Sequence, residues 1–392
     1  MGTILDYLKD YGDYTFAERP FDEVDSLVLC QFAYLKFGGL VPSVDEDKPA
    51  VGLQELKEHA DYDHLYADER YREDNTALFS GMYRSKRFRD LKINNYINQI
   101  SLETETQFSA VTFRLPNGIC YVAYRGTDET IVGWKEDLNL AFSEPVEGQR
   151  MSVEYLDRAA REIEGSFYVG GHSKGGNLAT YACMNCDPTV RSRVMAIYDH
   201  DGPGFRPEVK ARGAYDEIVD RIHKTIPHSS LVGMILYTDG IYSVVESRTM
   251  GLAQHNPYTW LVKDDHFQIV DELYAGRKFM DEALNQWILS LTQEQMHTFV
   301  DTLYQIVLAS ETDNLIDFSA NWFQSLQKIG MALRDIDPQT GKAIIQIMKL
   351  FFAIASLNVK AMFKGKTVLT KEKFDEGILQ LEQSFTRQTP PS

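Results

Sequence analysis

The sequence predicts an α/β protein whose sheet is mostly parallel and flanked by helices. Antiparallel strands are indicated first, because two apolar runs between residues 107 and 124 are joined by Asn117-Gly118, a dipeptide typical of hairpin turns. Strands and helices then alternate as far as about residue 265, the order expected of a parallel sheet with crossover helices. The third observation is an apolar run at 167–169 that leads into Gly-x-Ser-x-Gly and then into a helical pattern.

Three regions follow from the order of these patterns. Residues 1–88 are predicted to form a polar N-terminal helical cover, in which a helix begins after an N-cap at Asp22. Residues 89–265 are predicted to form the α/β core, and residues 266–392 a C-terminal helical region. The strands predicted in the core span 92–100, 107–115, 119–124, 167–169, 194–198, 221–226, 235–238 and 242–246, with a helix at 153–164.

The charge of the chain excludes some classes of partner. Asp and Glu number 57 against 40 Lys and Arg, so the formal net charge is −17. Nucleic acids and anionic membranes would be repelled, and we expect neither as a partner. The most apolar stretch, residues 343–363, is interrupted by Lys349 and Lys360, which favours a buried or partner-facing helix over a transmembrane segment. The C-terminal helices are therefore candidates for self-association.

The cysteines and the N-terminus predict a cytoplasmic location. Four cysteines are too few for a disulfide framework in a chain this long. The first residues lack the basic region and apolar run of a signal peptide. Cys183 and Cys186 form a C-x-x-C, but no second pair follows at zinc spacing, so we expect core thiols rather than a metal or redox site. We also expect no organic cofactor.

Gly171-His172-Ser173-Lys174-Gly175 is the motif that points most directly to chemistry. Between a strand and a helix, this pattern forms a nucleophile elbow, a strained turn that exposes the serine oxygen. The positions two before and two after Ser173 must be small because strand and helix converge there, and Gly171 and Gly175 occupy them. The following helix N-terminus offers N–H groups and a positive dipole end to an oxyanion. Ser173 is therefore the predicted nucleophile of an α/β-hydrolase fold.

A second motif, Tyr124-Arg125-Gly126-Thr127-Asp128, ends a predicted strand upstream of the elbow. In an α/β-hydrolase this position supplies the other half of the oxyanion hole. Gly126 permits a sharp turn, after which the N–H and hydroxyl of Thr127 would face the backbone N–H of Lys174. We therefore predict that Thr127 and Lys174 form the oxyanion hole.

These two motifs together resemble the signature of the class 3 (fungal-type) lipases. The similarity is carried by Tyr-Arg-Gly-Thr at 124–127, by Trp134 and Asp137-Leu138, and by Gly-His-Ser-x-Gly-Gly at 171–176. The resemblance implies a lipase-like hydrolase, in which Thr127 is an oxyanion donor and Arg125 and Asp137 hold its loop in place.

A second resemblance spans residues 22 to about 260. The stretches 201–205, 226–233 and 254–255 are similar to a bacterial family of lipase-like α/β-hydrolases, whereas the C-terminal third resembles neither family. The base is expected after the serine and the acid in chain order. His255 lies in a turn-prone loop after the last predicted strand, where the family's histidine is carried, and it is the predicted base. His266 is the alternative.

The acid is the least determined member of the predicted triad. The class 3 lipase pattern places an aspartate just before the Val-Pro that ends the penultimate strand, but this chain has Lys224 at the matching position. Asp201, in an Asp-Gly-Pro turn at the tip of the strand after the elbow helix, is the favoured acid. Asp239 and Asp199 are also candidates.

The sequence thus predicts a serine hydrolase. We expect carboxylic-ester or lipid hydrolysis through an acyl-enzyme, with a small-molecule ester or lipid as substrate. A thioesterase or peptidase would use the same groups. Because Lys224 takes the place of the lipase aspartate, the chain could instead be a catalytically weak or inactive hydrolase fold that binds a partner through its C-terminal helices.

Overall fold

A computed structural model describes residues 1–67, 71–101, 106–127, 140, 145–228, 230, 232–236, 239, 242–249, 251–271, 285 and 289. The strands in these ranges are β1 Val51–Gly52, β2 Lys92–Ser101, β3 Thr106–Arg114, β4 Cys120–Tyr124, β5 Phe167–His172, β6 Val194–His200, β7 Ile222–Pro227, β8 Ser243–Val245, β9 Val262–Lys263, β10 His266–Phe267 and β11 Ile269–Val270. The α-helices are α1 Ile4–Tyr11, α2 Glu23–Phe32, α3 Leu53–Glu58, α4 Arg72–Arg84, α5 Glu147–Glu162, α6 Lys174–Asn185, α7 Pro188–Arg191, α8 Pro207–Arg212 and α9 Tyr215–Ile218.

The main sheet joins nine of the described strands in the order β1-β2-β3-β4-β5-β6-β7-β8-β11. Neighbours from β1 to β4 are antiparallel, whereas β4 to β8 run parallel. β11 closes the far edge antiparallel to β8. The carboxyl ends of the parallel strands therefore meet at one edge of the sheet. The predicted α/β-hydrolase fold, with a mostly parallel sheet and flanking helices, is confirmed.

Helices cover both faces of the sheet, and side-chain alternation along β4 explains why. Tyr121 and Ala123 pack into the core beneath α1, α2 and α4. Cys120, Val122 and Tyr124 pack into a second core against α5 and α6. All five side chains are buried, as expected of a central strand with a helical layer on each side.

Helix α2 begins where the sequence predicts. Asp22 is its N-cap, and one carboxylate oxygen accepts hydrogen bonds from the N–H groups of Val24 (2.8 Å) and Asp25 (2.9 Å). This capping carboxylate stabilises the free N–H groups at the start of the helix. The helix packs against β5, the strand that leads into Ser173.

Some local predictions differ from the structure. Ile235 and Leu236, predicted to begin a strand, lie in a turn after a short 3₁₀ helix, and residues 237 and 238 lie outside the described residues. Helix α5 begins six residues before its predicted start at 153, because the Gln149 side chain accepts from the Val146 N–H and caps the preceding turn.

The predicted C-terminal helical region lies almost wholly outside the described residues, and the three-region division stays a prediction. The sheet itself reaches Val270, which is paired with Val244. None of the helices in the described ranges combines the length and apolar character that crossing a bilayer requires.

Candidate active site

Ser173 lies between β5 and α6 in a strained backbone conformation. Its φ is +59° and its ψ −133°, a region that non-glycine residues rarely occupy. The turn is held by hydrogen bonds from the Ser173 N–H to the His200 carbonyl (2.9 Å) and from the Gly176 N–H to the Ser173 carbonyl (2.9 Å). Such strain is typical of a nucleophile elbow.

The two motif glycines allow α6 to approach β5 at Gly171 and the end of β4 at Gly175. A Cβ added at Gly171 would overlap the backbone of Gly175, and one added at Gly175 would overlap the carbonyl of Tyr124. Both neighbours are main-chain atoms, which cannot move aside like a flexible side chain. The prediction that these positions must lack side chains is therefore explained by close backbone approach.

Three side chains form a continuous hydrogen-bond chain at this edge of the sheet. His255 Nε2 lies 2.8 Å from Ser173 Oγ, and His255 Nδ1 lies 2.7 Å from Asp201 Oδ2. An ionised carboxylate only accepts, so Nδ1 carries the proton and Nε2 accepts from the serine hydroxyl. Asp201 is 1% exposed and Ser173 8%, whereas the His255 side chain is 22% exposed. The arrangement can move a proton from Ser173 to His255.

Asp201 is held in place by its backbone and by its second carboxylate oxygen. Its φ is +55°, and its N–H donates to the Thr225 carbonyl on β7 (2.8 Å). Oδ1 accepts from the Ser230 hydroxyl and from the Gly233 N–H (3.1 Å). These donors leave Oδ2 directed at His255. Ser230 was missed as a site residue, although the stretch 226–233 that contains it carries one of the family resemblances.

Lys224, the departure from the lipase pattern, has a structural partner. Its ammonium lies 2.8 Å from Asp199 Oδ2 and also donates to the Gly202 carbonyl. The Gly202 N–H in turn donates to Asp199 Oδ1 (2.8 Å). Burial raises the pKa of the Asp199 carboxyl, and the adjacent Lys224 charge partly offsets this. The pair braces the turn that carries Asp201.

Asp239 and His266 have partners away from Ser173. Asp239 accepts from Lys210 of α8 (2.7 and 2.6 Å) and from the Tyr215 hydroxyl of α9 (2.6 Å). His266 is 75% exposed and pairs with Asp265. The structure thus does not bring Asp239 and His266 into the hydrogen-bond chain with Ser173.

The predicted oxyanion residues flank the elbow. Gly126 is so close to it that an added Cβ would contact the His172 carbonyl and the Ser173 Cβ, and Thr127 is buried beside it. The Lys174 ammonium is buried and donates to the Gln107 carbonyl on β3 (2.7 Å), so this contact engages the charged end of the side chain.

Of the two residues expected to hold the oxyanion loop, the structure describes one. Arg125 is buried. Its guanidinium donates a hydrogen bond to Asn98 Oδ1 (3.0 Å), and its backbone N–H donates to the Ser109 carbonyl (3.0 Å). Asp137 lies outside the described residues. Within the described ranges, no group of three or more His, Cys, Asp and Glu side chains is arranged to hold a metal ion.

Comparison with known proteins links the chain to one family. The family model described as Mbeg1-like matches residues 82–305, more than half of the chain. Among curated proteins, no sequence matches.

Solved structures of lipases are similar at low identity. The crystal structure of M37 lipase is 11% identical with a TM-score of 0.36, over 68% of this chain and 79% of that one. A fungal lipase in an inhibitor complex is 16% identical with a TM-score of 0.31, over 51% and 82%. The Rhizomucor miehei lipase in its propeptide complex is 16% identical with a TM-score of 0.32, over 50% and 70%.

Proposed function

We propose that this chain, which belongs to the Mbeg1-like family, is a serine hydrolase that cleaves carboxylic or lipid esters through an acyl-enzyme on Ser173. The observation that carries the proposal is the chain of two hydrogen bonds from Ser173 through His255 to Asp201, at 2.8 and 2.7 Å. Nucleophile, base and orienting acid are then in the relation that acyl transfer requires.

In the proposed acylation step, Ser173 Oγ attacks the ester carbonyl carbon while His255 Nε2 takes its proton. The imidazolium that forms is stabilised by the Asp201 carboxylate on Nδ1. His255 then returns the proton to the leaving alcohol as the carbon–oxygen bond breaks. Water attacks the acyl-enzyme by the same route, which releases the carboxylic acid and restores Ser173.

The negative oxygen of the tetrahedral intermediate would be stabilised by backbone N–H groups of Thr127 and Lys174, with the Thr127 hydroxyl as a further donor. The proximity of Gly126 to Ser173 and the location of Lys174 at the start of α6 support this assignment. The N-terminal end of a 12-residue helix adds a favourable partial charge.

Active-site labelling tests the proposal. A fluorophosphonate should modify the wild-type protein once, and Ser173→Ala should abolish both labelling and p-nitrophenyl ester turnover. Ser192→Ala, which alters an exposed serine after α7, is the matched control and should behave as wild type. Equal labelling of Ser173→Ala would overturn the assignment, and an unreactive, folded wild type would favour a non-catalytic hydrolase fold.

The leaving group is tested separately from the nucleophile. Turnover of an ester, a thioester and an amide with the same acyl group should be compared in wild type and Ser173→Ala. We expect the ester to be the best substrate. A preference for the thioester or amide would retain Ser173 as nucleophile and change the substrate class.

A further inference from the structure

We infer that His172, the residue directly before the proposed nucleophile, is a positioning residue for His255. The inference rests on the proposed function and adds a residue to the same site. His172 ends β5 and is 5% exposed. Its ring packs against the His255 ring, with centroids 4.6 Å apart and planes inclined by 36°. The side chain that precedes Ser173 in sequence thus contacts the side chain that accepts its proton.

A hydrogen bond determines the tautomer of His172. Its Nε2 lies 2.9 Å from the main-chain carbonyl oxygen of His255. A carbonyl oxygen only accepts, so Nε2 carries a proton and donates it. Nδ1 lies 3.3 Å from the Tyr34 hydroxyl, which serves as its donor when the ring is neutral. His172 therefore links the Tyr34 side chain to the backbone of the proposed base.

His255 depends on such contacts because it comes from a distant part of the chain. It ends a short 3₁₀ helix at 251–255 and meets Ser173 across a sequence separation of 82 residues. The His172 hydrogen bond holds the His255 backbone, and the ring contact restrains its side chain. Trp260 supports the same loop, because its indole N–H donates to the Gln254 carbonyl (2.7 Å).

Two properties of His172, the donor and the ring, can be removed separately. His172→Gln keeps an N–H near the Nε2 position without the ring, His172→Phe keeps a ring without the donor, and His172→Leu removes both. Because displacement of a catalytic group by ~1 Å costs about 100-fold in rate, we expect the Phe and Leu variants to lower kcat by about 10- to 100-fold. KM should change little, and Gln should retain kcat within about threefold of wild type.

The experiment combines steady-state ester hydrolysis with the rate of fluorophosphonate labelling, and thermal midpoints report folding. His266→Phe, at a 75% exposed histidine, is the matched control and should leave both rates unchanged. If His172→Phe unfolds, the kcat values of His172→Leu and His172→Gln, measured below the thermal midpoints of both variants, are compared instead.

The inference is wrong if kcat of His172→Leu or His172→Phe equals that of wild type. It is also wrong if a folded His172→Gln variant is as slow as His172→Leu. Loss of labelling in Ser173→Ala beside unaffected His172 variants would retain the proposed function and remove only the positioning role. An unreactive wild type would overturn both.

Discussion

Asp199 and Asp201 lie two residues apart at the carboxyl end of β6, and the structure holds their carboxylates in different ways. Asp199 pairs with the ammonium of Lys224, at 2.8 Å. Asp201 accepts from the Ser230 hydroxyl, the Gly233 N–H and His255. One buried carboxylate is thus neutralised by a cation, whereas its neighbour is held by neutral donors and a histidine.

Under the proposed function, this difference separates a structural acid, Asp199, from a reactive acid, Asp201, at one strand end. A permanent cation on Asp201 would compete with the imidazolium that His255 would become in the proposed acyl transfer. Neutral donors hold the carboxylate and still leave its charge for His255. On Asp199 the cation has a different use, since it offsets the cost of burying a charge beside the turn.

Asp201→Asn should have the largest effect. Loss of the negative charge removes the preferred tautomer and the stabilisation of the imidazolium, so kcat should fall by up to ~10⁴-fold with little change in KM. Steady-state ester hydrolysis measures both. Asp239→Asn is the matched control and should retain activity, because Asp239 is bound to Lys210 and Tyr215. A similar loss in both variants would contradict the contrast.

Lys224→Met should act on stability. It leaves the buried Asp199 carboxylate without its cation, which typically lowers the free energy of unfolding by about 3–5 kcal/mol. The double variant Lys224→Met/Asp199→Asn removes both charges and should recover much of that loss. Urea unfolding of the two single variants and the double variant completes the cycle. Strictly additive losses would show that the pair contributes no coupling.

His200, between the two aspartates, should make stability depend on pH. Burial lowers the pKa of His200 to about 3, and its Nε2 lies 2.9 Å from the hydroxyl of Ser26, a residue of α2. In the unfolded chain the pKa is about 6.5, so only the unfolded state gains a proton between these values. The free energy of unfolding should therefore fall as pH drops below 6.5, by up to ~1.4 kcal/mol per unit. The free energy of unfolding, measured with urea at several values between pH 7 and pH 5, should depend less steeply on pH in His200→Gln than in wild type. An equal dependence on pH in the two proteins would show that His200 is not the titrating group.

Lys174→Met should have the smallest effect on chemistry. The buried ammonium is bound to the Gln107 carbonyl, whereas the proposed oxyanion contact uses the backbone N–H, which methionine retains. The rate of fluorophosphonate labelling should stay within about tenfold of wild type, while Thr127→Val should lose about 10²–10³-fold if its hydroxyl contributes. A larger loss in Lys174→Met than in Thr127→Val would assign a catalytic role to the ammonium.

The elbow and the hairpin could be predicted because they depend on short-range sterics. Gly171 is required by the close approach of the Gly175 backbone a few residues later, and the Asn117-Gly118 turn needs the positive φ of +85° that Gly118 adopts. The strand expected from Ile235 failed for the opposite reason. Its apolar residues have strand-like composition, but the bonds from the Gly204 N–H to the Ile235 carbonyl and from the Leu236 N–H to Asn285 hold a turn instead.

The amino-acid sequence alone was enough to predict the fold class, the location of Ser173 in an elbow and a short set of candidate partners for it. Tertiary structure decided which carboxylate meets His255, because that depends on strand register. β6 and β7 align Asp199 with Lys224, which engages that carboxylate and leaves Asp201, two residues further on, at the strand tip. It also decided the contact between His172 and His255, since a bond between residues 83 positions apart has no local signature in a chain. Periodicity and turn chemistry act over a few residues, whereas a site of this kind is assembled from loops that only the complete sheet brings together.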